Sequence, residues 1–263
     1  MADPFHSRHI VITGGSSGIG AELARQLAPF HCHLTLIGRD SGRLEGVRAE
    51  CVAAGSSCVT YSVDVTNSRA IASCLAEAQT TAPVDMVFAN AGIGGKAVLA
   101  SETGETVEHA RQIFETNTMG VINSVTPLLA GFRERGRGQI VIVSSIMAYH
   151  GLPDAPVYSA SKAAVRIYGQ GLRRLLAPAG VKVLVACPGF IETPMNEDLP
   201  VRMPFSLTAE VAAARILKAV SNGKSEIAFP WQWRSVAFGA SIFPSFMVDS
   251  LFQICRNVLK RDS

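Results

Sequence analysis

The sequence predicts an α/β fold, in which one doubly wound parallel sheet of about seven strands carries helices on both faces. Short runs of apolar and β-branched residues alternate along the chain with longer stretches of helical periodicity, which is typical of repeated βαβ units. The strand runs are almost wholly apolar, as expected for strands that are buried on both faces. With 48% hydrophobic residues among 263, the chain can build a sizeable core and is not wholly disordered.

Seven runs have the length and composition of buried strands. In chain order they are His9–Thr13, His33–Gly38, Cys58–Val63, Met86–Ala89, Gln139–Val143, Lys182–Ala186 and Glu226–Phe229. The longer segments between them are predicted to be helical, because their apolar residues recur at helical spacing. The clearest helical segments lie at about 19–30, 44–52, 106–135 and 157–177.

The first 230 residues show no shift in composition, so residues 1–230 are predicted to form one domain. Residues 231–263 are predicted to be a C-terminal extension, which begins with Trp231 and Trp233 and continues into an uncharged stretch that Pro244 interrupts. That stretch is too short for a membrane-spanning helix. Three interpretations stay open for the extension: packing on the protein or a sister subunit, contact with a membrane surface, or coverage of a substrate cleft.

Charge and cysteine usage argue against several classes of protein. The net charge is +3 and no Lys or Arg block stands out, so nucleic acid is a poor candidate partner. Six cysteines form no CxxC pair, and none of the six histidines has metal-ligand spacing, so we expect free thiols and no metal. The chain start has no apolar segment of a secretory signal. We therefore expect a cytoplasmic protein, with peripheral membrane contact through the extension as the alternative.

A glycine-rich turn follows the first strand and opens the first helix. It reads TGGSSGIG from Thr13 to Gly20, with the glycines spaced Gly14-x3-Gly18-x-Gly20. Glycines allow a tight turn and a close approach of a pyrophosphate, while a helix N-terminus offers free N–H groups and the positive end of its dipole. The turn is a candidate dinucleotide-binding site, and a purely structural strand–helix turn is the alternative.

The end of the second strand bears on which dinucleotide would bind. Gly38 stands at the strand end and is followed by Arg39 and Asp40. An acidic residue at this place would accept hydrogen bonds from a ribose 2′-hydroxyl, whereas an arginine can meet a 2′-phosphate. The sequence therefore favours NADP(H), with NAD(H) as the alternative. The competing interpretation makes Arg39 a solvated surface residue and Asp40 the cap of the next helix.

A serine, a tyrosine and a lysine form the candidate catalytic group. Ser145 follows the fifth strand, and Tyr158 and Lys162 are four residues apart, so a helix places both on one face. A nearby ammonium favours the phenolate and lowers the pKa of a tyrosine. A serine hydroxyl at a strand end can position a substrate oxygen. Together the three can move a proton to or from a carbonyl or alcohol oxygen.

These motifs, in this order, resemble the short-chain dehydrogenase/reductase family. The resemblance rests on TGGSSGIG, Asn90-Ala91-Gly92, Asn117, Ser145, Tyr158-x3-Lys162 and Pro188-Gly189, and it covers about residues 8–229. It implies a Rossmann-type NAD(P)-binding fold and an oxidoreductase acting on a carbonyl and secondary-alcohol pair. It also implies a homo-oligomer.

The resemblance implies a role for each matching residue. Tyr158 is expected to be the general acid in reduction and the base in oxidation. Lys162 is expected to hold the nicotinamide ribose and to lower the pKa of Tyr158. Ser145 is expected to orient and polarise the carbonyl, and Asn117 to hold a water behind Lys162. The implied cofactor contacts are Gly14, Ser16, Ser17, Gly18, Ile19, Gly20, Arg39, Asp64, Val65, Asn90, Ala91, Gly92, Tyr158, Lys162, Pro188, Gly189, Ile191 and Thr193.

Several of these assignments have structural alternatives. Asn90 can tie neighbouring strands together, Asn117 can kink or cap a helix, and Asp64 can cap the helix that follows it. Ser144 competes with its neighbour for the catalytic position.

The expected substrate contacts are His150, Met195 and Phe205. Met195 and Phe205 belong to segment 190–207, which the resemblance makes a lid over the substrate. Its apolar, methionine-bearing composition favours a lipophilic or bulky substrate, and packing of the lid on the core is the alternative. For His150 the alternative is an ordinary loop histidine.

Two other functions stay open at this point. The first is an NAD-dependent alcohol, polyol or hydroxysteroid dehydrogenase. The second is a dinucleotide-binding sensor or scaffold without turnover, which the retained tyrosine and lysine disfavour.

Overall fold

The computed structural model describes residues 4–94, 105–153, 155–193 and 205–240, and side chains as far as residue 235. The expected substrate contact Met195 and most of the C-terminal extension lie outside the described residues. Within the described part, no helix is both long enough and apolar enough to cross a membrane.

A seven-stranded parallel sheet forms the centre of the protein. Its strands are β1 (His9–Thr13), β2 (His33–Gly38), β3 (Ser57–Ser62), β4 (Met86–Ala89), β5 (Gly138–Val143), β6 (Val181–Pro188) and β9 (Glu226–Phe229). They lie side by side in the order β3-β2-β1-β4-β5-β6-β9. Two short strands, β7 (Ile191–Glu192) and β8 (Leu207–Thr208), pair with each other beside the sheet. The α/β prediction and the seven predicted strands are confirmed.

Helices cover both faces of the sheet. They are α1 (Gly18–Leu27), α2 (Ser41–Ala53), α3 (Ser68–Thr81), α4 (Val107–Phe114), α5 (Gly120–Val125), α6 (Leu129–Glu134), α7 (Pro156–Leu176), α8 (Ala209–Ser221) and α9 (Trp231–Ala240). The helix predicted over about 106–135 is broken into three pieces. A π-helical turn, Glu115–Met119, separates α4 from α5, and a short turn with Pro127 separates α5 from α6, because proline lacks the N–H that would continue the helix.

Two apolar layers sandwich the sheet, and the strand residues alternate between them. In β1, Ile10 and Ile12 join the layer under α1, α2 and α8, whereas Val11 between them joins the layer under α3, α6 and α7. All three side chains are fully buried. Burial on both faces explains why the strand reads as a continuous apolar run.

The strand order reverses between β1 and β4, which is the place that positions the site. From β1 the chain adds β2 and β3 towards one edge of the sheet, and from β4 it adds β5, β6 and β9 towards the opposite edge. In an open parallel sheet, ligands bind in the crevice outside the carboxyl ends of the strands at such a point. The residues that follow β1 and β4 are Gly14 and Asn90, both predicted site residues.

Candidate active site

A cleft opens at the carboxyl ends of the strands and brings together motifs that are far apart in the sequence. Its described lining residues are Gly14, Ser16, Ser17, Gly18, Ile19, Gly38, Arg39, Val63, Asp64, Val65, Asn90, Ala91, Gly92, Ile93, Thr116, Val143, Ser144, Ser145, Tyr158, Lys162, Pro188, Gly189, Ile191 and Thr193. The glycine-rich turn and the Tyr158–Lys162 pair therefore border one space.

The glycine-rich turn needs its glycines for two different reasons. Gly14 and Gly18 have φ angles of +67° and +54°, a region that residues with a Cβ rarely adopt. Gly20 is instead a packing residue, since a Cβ there would lie 2.2 Å from the carbonyl oxygen of Gly14. Gly20 is buried and is not among the cleft-lining residues. It supports the turn by packing against it and does not itself border the space of the cleft, unlike the other two glycines of the motif.

The N-terminus of α1 is open towards the cleft. The N-cap side chains of α2, α3, α4 and α8 accept a hydrogen bond from their own helix, the four caps being Asp40, Asn67, Thr106 and Thr208. Ser17, the N-cap of α1, makes no such bond. The first N–H groups of α1 and the glycine cradle before it fit the pyrophosphate of a dinucleotide.

The far end of the cleft holds the residues that bear on cofactor preference. Gly38 offers no carboxylate at the end of β2, and a Cβ there would lie 3.3 Å from the Ser16 hydroxyl. The Arg39 side chain is 69% exposed and pairs with Asp64 at 3.9 Å. Exposed ion pairs of this kind contribute little to the free energy of folding, so Arg39 can exchange Asp64 for a phosphate at little cost. Asp40 caps α2 by accepting a hydrogen bond from the Arg43 amide at 2.9 Å.

Asn90 and Thr13 tie the ends of β4 and β1 together. The side-chain amide of Asn90 donates to the backbone carbonyl of Thr13 at 3.0 Å. The Thr13 hydroxyl accepts from the backbone N–H groups of Asn90 and Ala91 at 3.1 Å each. Asn90 therefore ties two neighbouring strands together, which was the structural alternative considered from the sequence. It also lines the cleft.

Asn117 lies in the π-helical turn and braces the floor of the site. Its side-chain oxygen accepts from the Ile93 amide at 2.8 Å, and its amide donates to the Ile93 carbonyl and to the Ser161 hydroxyl. Asn117 is fully buried. A Cβ built on Gly92 would lie 3.1 Å from the Asn117 oxygen and 3.3 Å from Lys162 Nζ, so both side chains approach the backbone at Gly92. π-turns of this kind are frequent at functional sites.

The three candidate catalytic side chains converge at the near end of the cleft. Ser145 follows β5 and accepts a hydrogen bond from the Met147 amide at 3.2 Å, which fixes the turn that carries it. Tyr158 and Lys162 lie on one face of α7, with Lys162 Nζ 5.8 Å from the centre of the tyrosine ring. Lys162 is 4% exposed and donates to the carbonyl of Val143 at 3.1 Å.

Ser144 is engaged elsewhere. Its hydroxyl donates to the backbone carbonyl of Lys162 at 2.7 Å, so it joins the end of β5 to α7. Ser145 is the serine whose hydroxyl acts on the pKa of the Tyr158 phenol, which it lowers. This geometry favours Ser145 over Ser144 as the candidate catalytic serine.

Burial moves the pKa values of the tyrosine and the lysine in opposite directions. Loss of water raises the pKa of Tyr158 to about 12, although its hydrogen bond with Ser145 acts to lower it. Loss of water lowers the pKa of Lys162 to about 8. The resemblance implied a lowered pKa for Tyr158; in the structure the desolvation of the phenol is the larger effect. A phenol that keeps its proton at neutral pH is in the protonation state that proton donation requires.

The structure places the remaining predicted residues less centrally. His150 and Phe205 are not among the described cleft-lining residues, and Phe205 is 54% exposed. Asp64 accepts from the Thr66 amide at 2.9 Å, and Asn67 rather than Asp64 caps α3. The assignment of His150 and Phe205 to the substrate stays a prediction.

Several cleft residues were not among the catalytic or cofactor contacts assigned from the sequence, although Gly38 and Ser144 were considered there. They are Gly38, Val63, Ile93, Thr116, Val143 and Ser144. Each lies next to a predicted residue or at the carboxyl end of a strand, so strand ends and motif neighbours are the signal that would have found them.

Comparison with known proteins agrees with this geometry. The sequence matches the family described as short chain dehydrogenase over residues 8–203. An uncharacterized oxidoreductase of Myxococcus xanthus is 32% identical over 244 residues, which cover 92% of this chain and 95% of that protein. The ketoacyl reductase HetN of Nostoc is 30% identical over 224 residues, which cover 83% of this chain and 77% of that protein.

Solved structures share the fold. A short-chain type dehydrogenase/reductase from Mycobacterium marinum superimposes with a TM-score of 0.78 at 23% identity, covering 92% of this chain and 99% of that one. An alcohol dehydrogenase from Thermococcus sibiricus, complexed with 5-hydroxy-NADP, superimposes with a TM-score of 0.75 at 23% identity, covering 84% and 95%.

The fold and the sequence together define an oxidoreductase of the Rossmann type. The chain belongs to the short-chain dehydrogenase/reductase family, whose members bind NAD(P).

Proposed function

We propose that this protein is an NADP(H)-dependent reductase that converts a carbonyl to a secondary alcohol. The observation that carries the proposal is the convergence of Ser145, Tyr158 and Lys162 at one end of a cleft whose other end holds the glycine-rich turn and Arg39. Reduction is the favoured direction because cellular NADP(H) pools are held largely reduced.

The chain's own residues supply proton transfer and orientation. Bound NADPH would supply the hydride. Tyr158 donates its phenolic proton to the oxygen of the substrate, and Ser145 hydrogen-bonds that oxygen and positions it. Lys162 holds the nicotinamide ribose and favours the phenolate that proton donation leaves. Asn117 supports Lys162 from behind Gly92.

The preference for NADP(H) is proposed to depend on Arg39. Replacing Arg39 with aspartate removes a cation from the 2′-phosphate and offers a carboxylate to a 2′-hydroxyl. A charge-assisted pair contributes about 1.5–3 kcal/mol, so NADPH binding should weaken by about 10- to 100-fold while NADH binding improves. Fluorescence titration of both cofactors measures the change.

The matched control for this variant is Arg48→Asp. Arg48 is another arginine at the surface of α2, paired with Glu45 and absent from the cleft. The Arg48→Asp variant has the same change in net charge as Arg39→Asp. Its affinity for NADPH should stay within about twofold of the wild type, because salt screens a charge that lies far from the cofactor. An unchanged ratio of the two cofactor affinities in Arg39→Asp would contradict the assignment.

The substrate is proposed to be lipophilic, and a small panel of carbonyl probes tests which class of carbonyl the site accepts. Cyclohexanone, 4-nitrobenzaldehyde and the N-acetylcysteamine thioester of acetoacetate span ketone, aldehyde and 3-ketoacyl chemistry, and HetN, a ketoacyl reductase by name, supports including the last. We expect NADPH consumption with at least one probe. Turnover only of alcohols with NAD⁺ would favour the NAD-dependent dehydrogenase. NADPH binding without any turnover would favour the sensor.

A homo-oligomer is proposed through the outer faces of α4 and α7, which pack against each other. Val107 on α4 is 70% exposed, and Ile167 and Leu175 on α7 are 60% and 57% exposed, so contact with a second copy would remove apolar side chains of both helices from water. Ile167→Glu should lower the mass in sedimentation equilibrium, whereas Val52→Glu, at an exposed valine of α2, should not. A wild-type protein that sediments as a monomer would contradict the proposal.

A further inference from the structure

A half-buried ionic cluster lies beside the candidate active site. Glu226 stands at the start of β9 and accepts three side-chain hydrogen bonds. Its Oε1 accepts from the Tyr149 hydroxyl at 2.5 Å and from Arg166 Nε at 2.8 Å, and its Oε2 accepts from Gln170 Nε2 at 3.0 Å. These four residues are called the Glu226 clamp below.

The clamp joins three elements that the reaction needs in fixed relative positions. Tyr149 ends the short turn that begins at Ser145. Arg166 and Gln170 lie on α7, in the same four-residue stripe as Tyr158 and Lys162. Glu226 belongs to β9, which pairs with β6. One carboxylate therefore holds the serine turn and the tyrosine–lysine helix together.

The contacts are tight and largely screened from water. The Arg166 guanidinium lies 3.9 Å from the centre of the Tyr149 ring, which adds a cation–π contact to the hydrogen bonds. The side chains of Arg166 and Glu226 are each 20% exposed. Burial alone would raise the pKa of Glu226, but the hydrogen bonds from Tyr149, Gln170 and Arg166 outweigh it and lower that pKa. Glu226 is therefore charged at neutral pH.

A further hydrogen bond joins the start of the serine turn to the catalytic lysine. The hydroxyl of Ser144, which precedes Ser145, donates to the backbone carbonyl of Lys162 at 2.7 Å. A displacement of Tyr149 is thus transmitted along the turn to Ser145 and, through the neighbouring Ser144, to the backbone at Lys162.

We propose that Glu226 and Arg166 are positioning residues, which hold the Ser145 turn at its working distance from Tyr158 and Lys162. The proposal rests on the reductase function proposed above. None of the four residues of the clamp lines the cleft. It acts through the orientation of Ser145, because small misplacements of an orienting group lower the rate of a reaction strongly.

Two conservative variants test the clamp. Tyr149→Phe keeps the ring over Arg166 and removes only the hydroxyl, and Glu226→Gln keeps the shape and removes the charge. Each should lower kcat for the best carbonyl probe by about tenfold or more, while the KM of the probe and the Kd of NADPH stay within about twofold. Because both variants disrupt the same hydrogen bond between Tyr149 and Glu226, the double variant should lower kcat little more than either single variant does.

The matched control is Glu45→Gln. It neutralises a glutamate that is paired with Arg48 on the surface of α2, far from the clamp in the sheet order. It should leave kcat at the wild-type value. A general loss of stability would lower the active fraction, but it would not lower kcat per folded molecule at unchanged KM. Wild-type kcat in both clamp variants would overturn the proposal.

Hydrogen exchange gives a second readout that needs no turnover. In Glu226→Gln the amides of Met147 and Tyr149, which are bonded within the serine turn, should exchange faster than in the wild type, while those of β1 should not. If the wild type reduces no carbonyl, the proposed function fails but this comparison still tests the clamp. Unchanged exchange in the serine turn would overturn the clamp whatever the activity.

Discussion

Replacing Tyr158 with phenylalanine is expected to lower kcat for carbonyl reduction by about 10²- to 10⁴-fold, the usual contribution of a positioned general acid. The change removes one hydroxyl and leaves the ring in place above the floor of the cleft. The hydroxyl is the group that would donate the proton, and it keeps that proton at neutral pH because burial raises the pKa of Tyr158 to about 12. Steady-state kinetics with NADPH and a carbonyl probe measures the loss.

Cofactor binding separates this effect from misfolding. The phosphate cradle and Arg39 are untouched in Tyr158→Phe, so the Kd of NADPH should stay within about twofold of the wild type. Tyr168→Phe is the matched control, because Tyr168 lies on the same helix and packs against the core rather than the cleft. It should keep wild-type kcat. If Tyr158→Phe also keeps it, another group donates the proton.

The second large effect is expected at Gly20. A Cβ at this position would lie 2.2 Å from the Gly14 carbonyl oxygen and 2.7 Å from the Asn90 amide. The first of these neighbours is backbone, so the turn itself must move. Overpacking typically costs 1–3 kcal/mol, and we expect Gly20→Ala to lower the free energy of unfolding by about 3 kcal/mol or more. NADPH affinity should fall as well, because the displaced turn forms the cradle.

Gly46 provides the opposite result as a control. It is an exposed residue in the interior of α2, and a Cβ there meets nothing within 4 Å. Alanine is the better helix former, so Gly46→Ala should raise the free energy of unfolding by about 0.5–1 kcal/mol. Denaturant unfolding of the two variants measures both changes. A stability of Gly20→Ala equal to the wild type would contradict the packing role of Gly20.

The sequence predicts the strands well for a physical reason. A strand covered by helices on both faces is apolar at nearly every position, so the run Ile10, Val11 and Ile12 in β1 stands out without any knowledge of its partners. The glycine-rich turn and the Tyr158–Lys162 spacing are likewise local. Their chemistry needs particular residues a few positions apart, and the sequence displays that spacing directly.

What the sequence does not predict depends on contacts between distant residues. The clamp pairs Tyr149 with Glu226, which are 77 positions apart, and neither has a local pattern that indicates the other. The role of Gly20 also depends on a contact, with the Gly14 carbonyl, and this contact makes it a packing residue rather than a lining one. The pKa of Tyr158 depends on burial, which spacing along a helix does not reveal.

The central claim is that the cleft takes NADPH in preference to NADH. Side-by-side titration of the wild-type protein with the two cofactors, followed by fluorescence, tests it most directly. We predict that NADPH binds at least about tenfold more tightly, the effect of roughly 1.4 kcal/mol that one phosphate contact by Arg39 readily supplies. Equal affinity for the two cofactors, or tighter binding of NADH, would contradict the account.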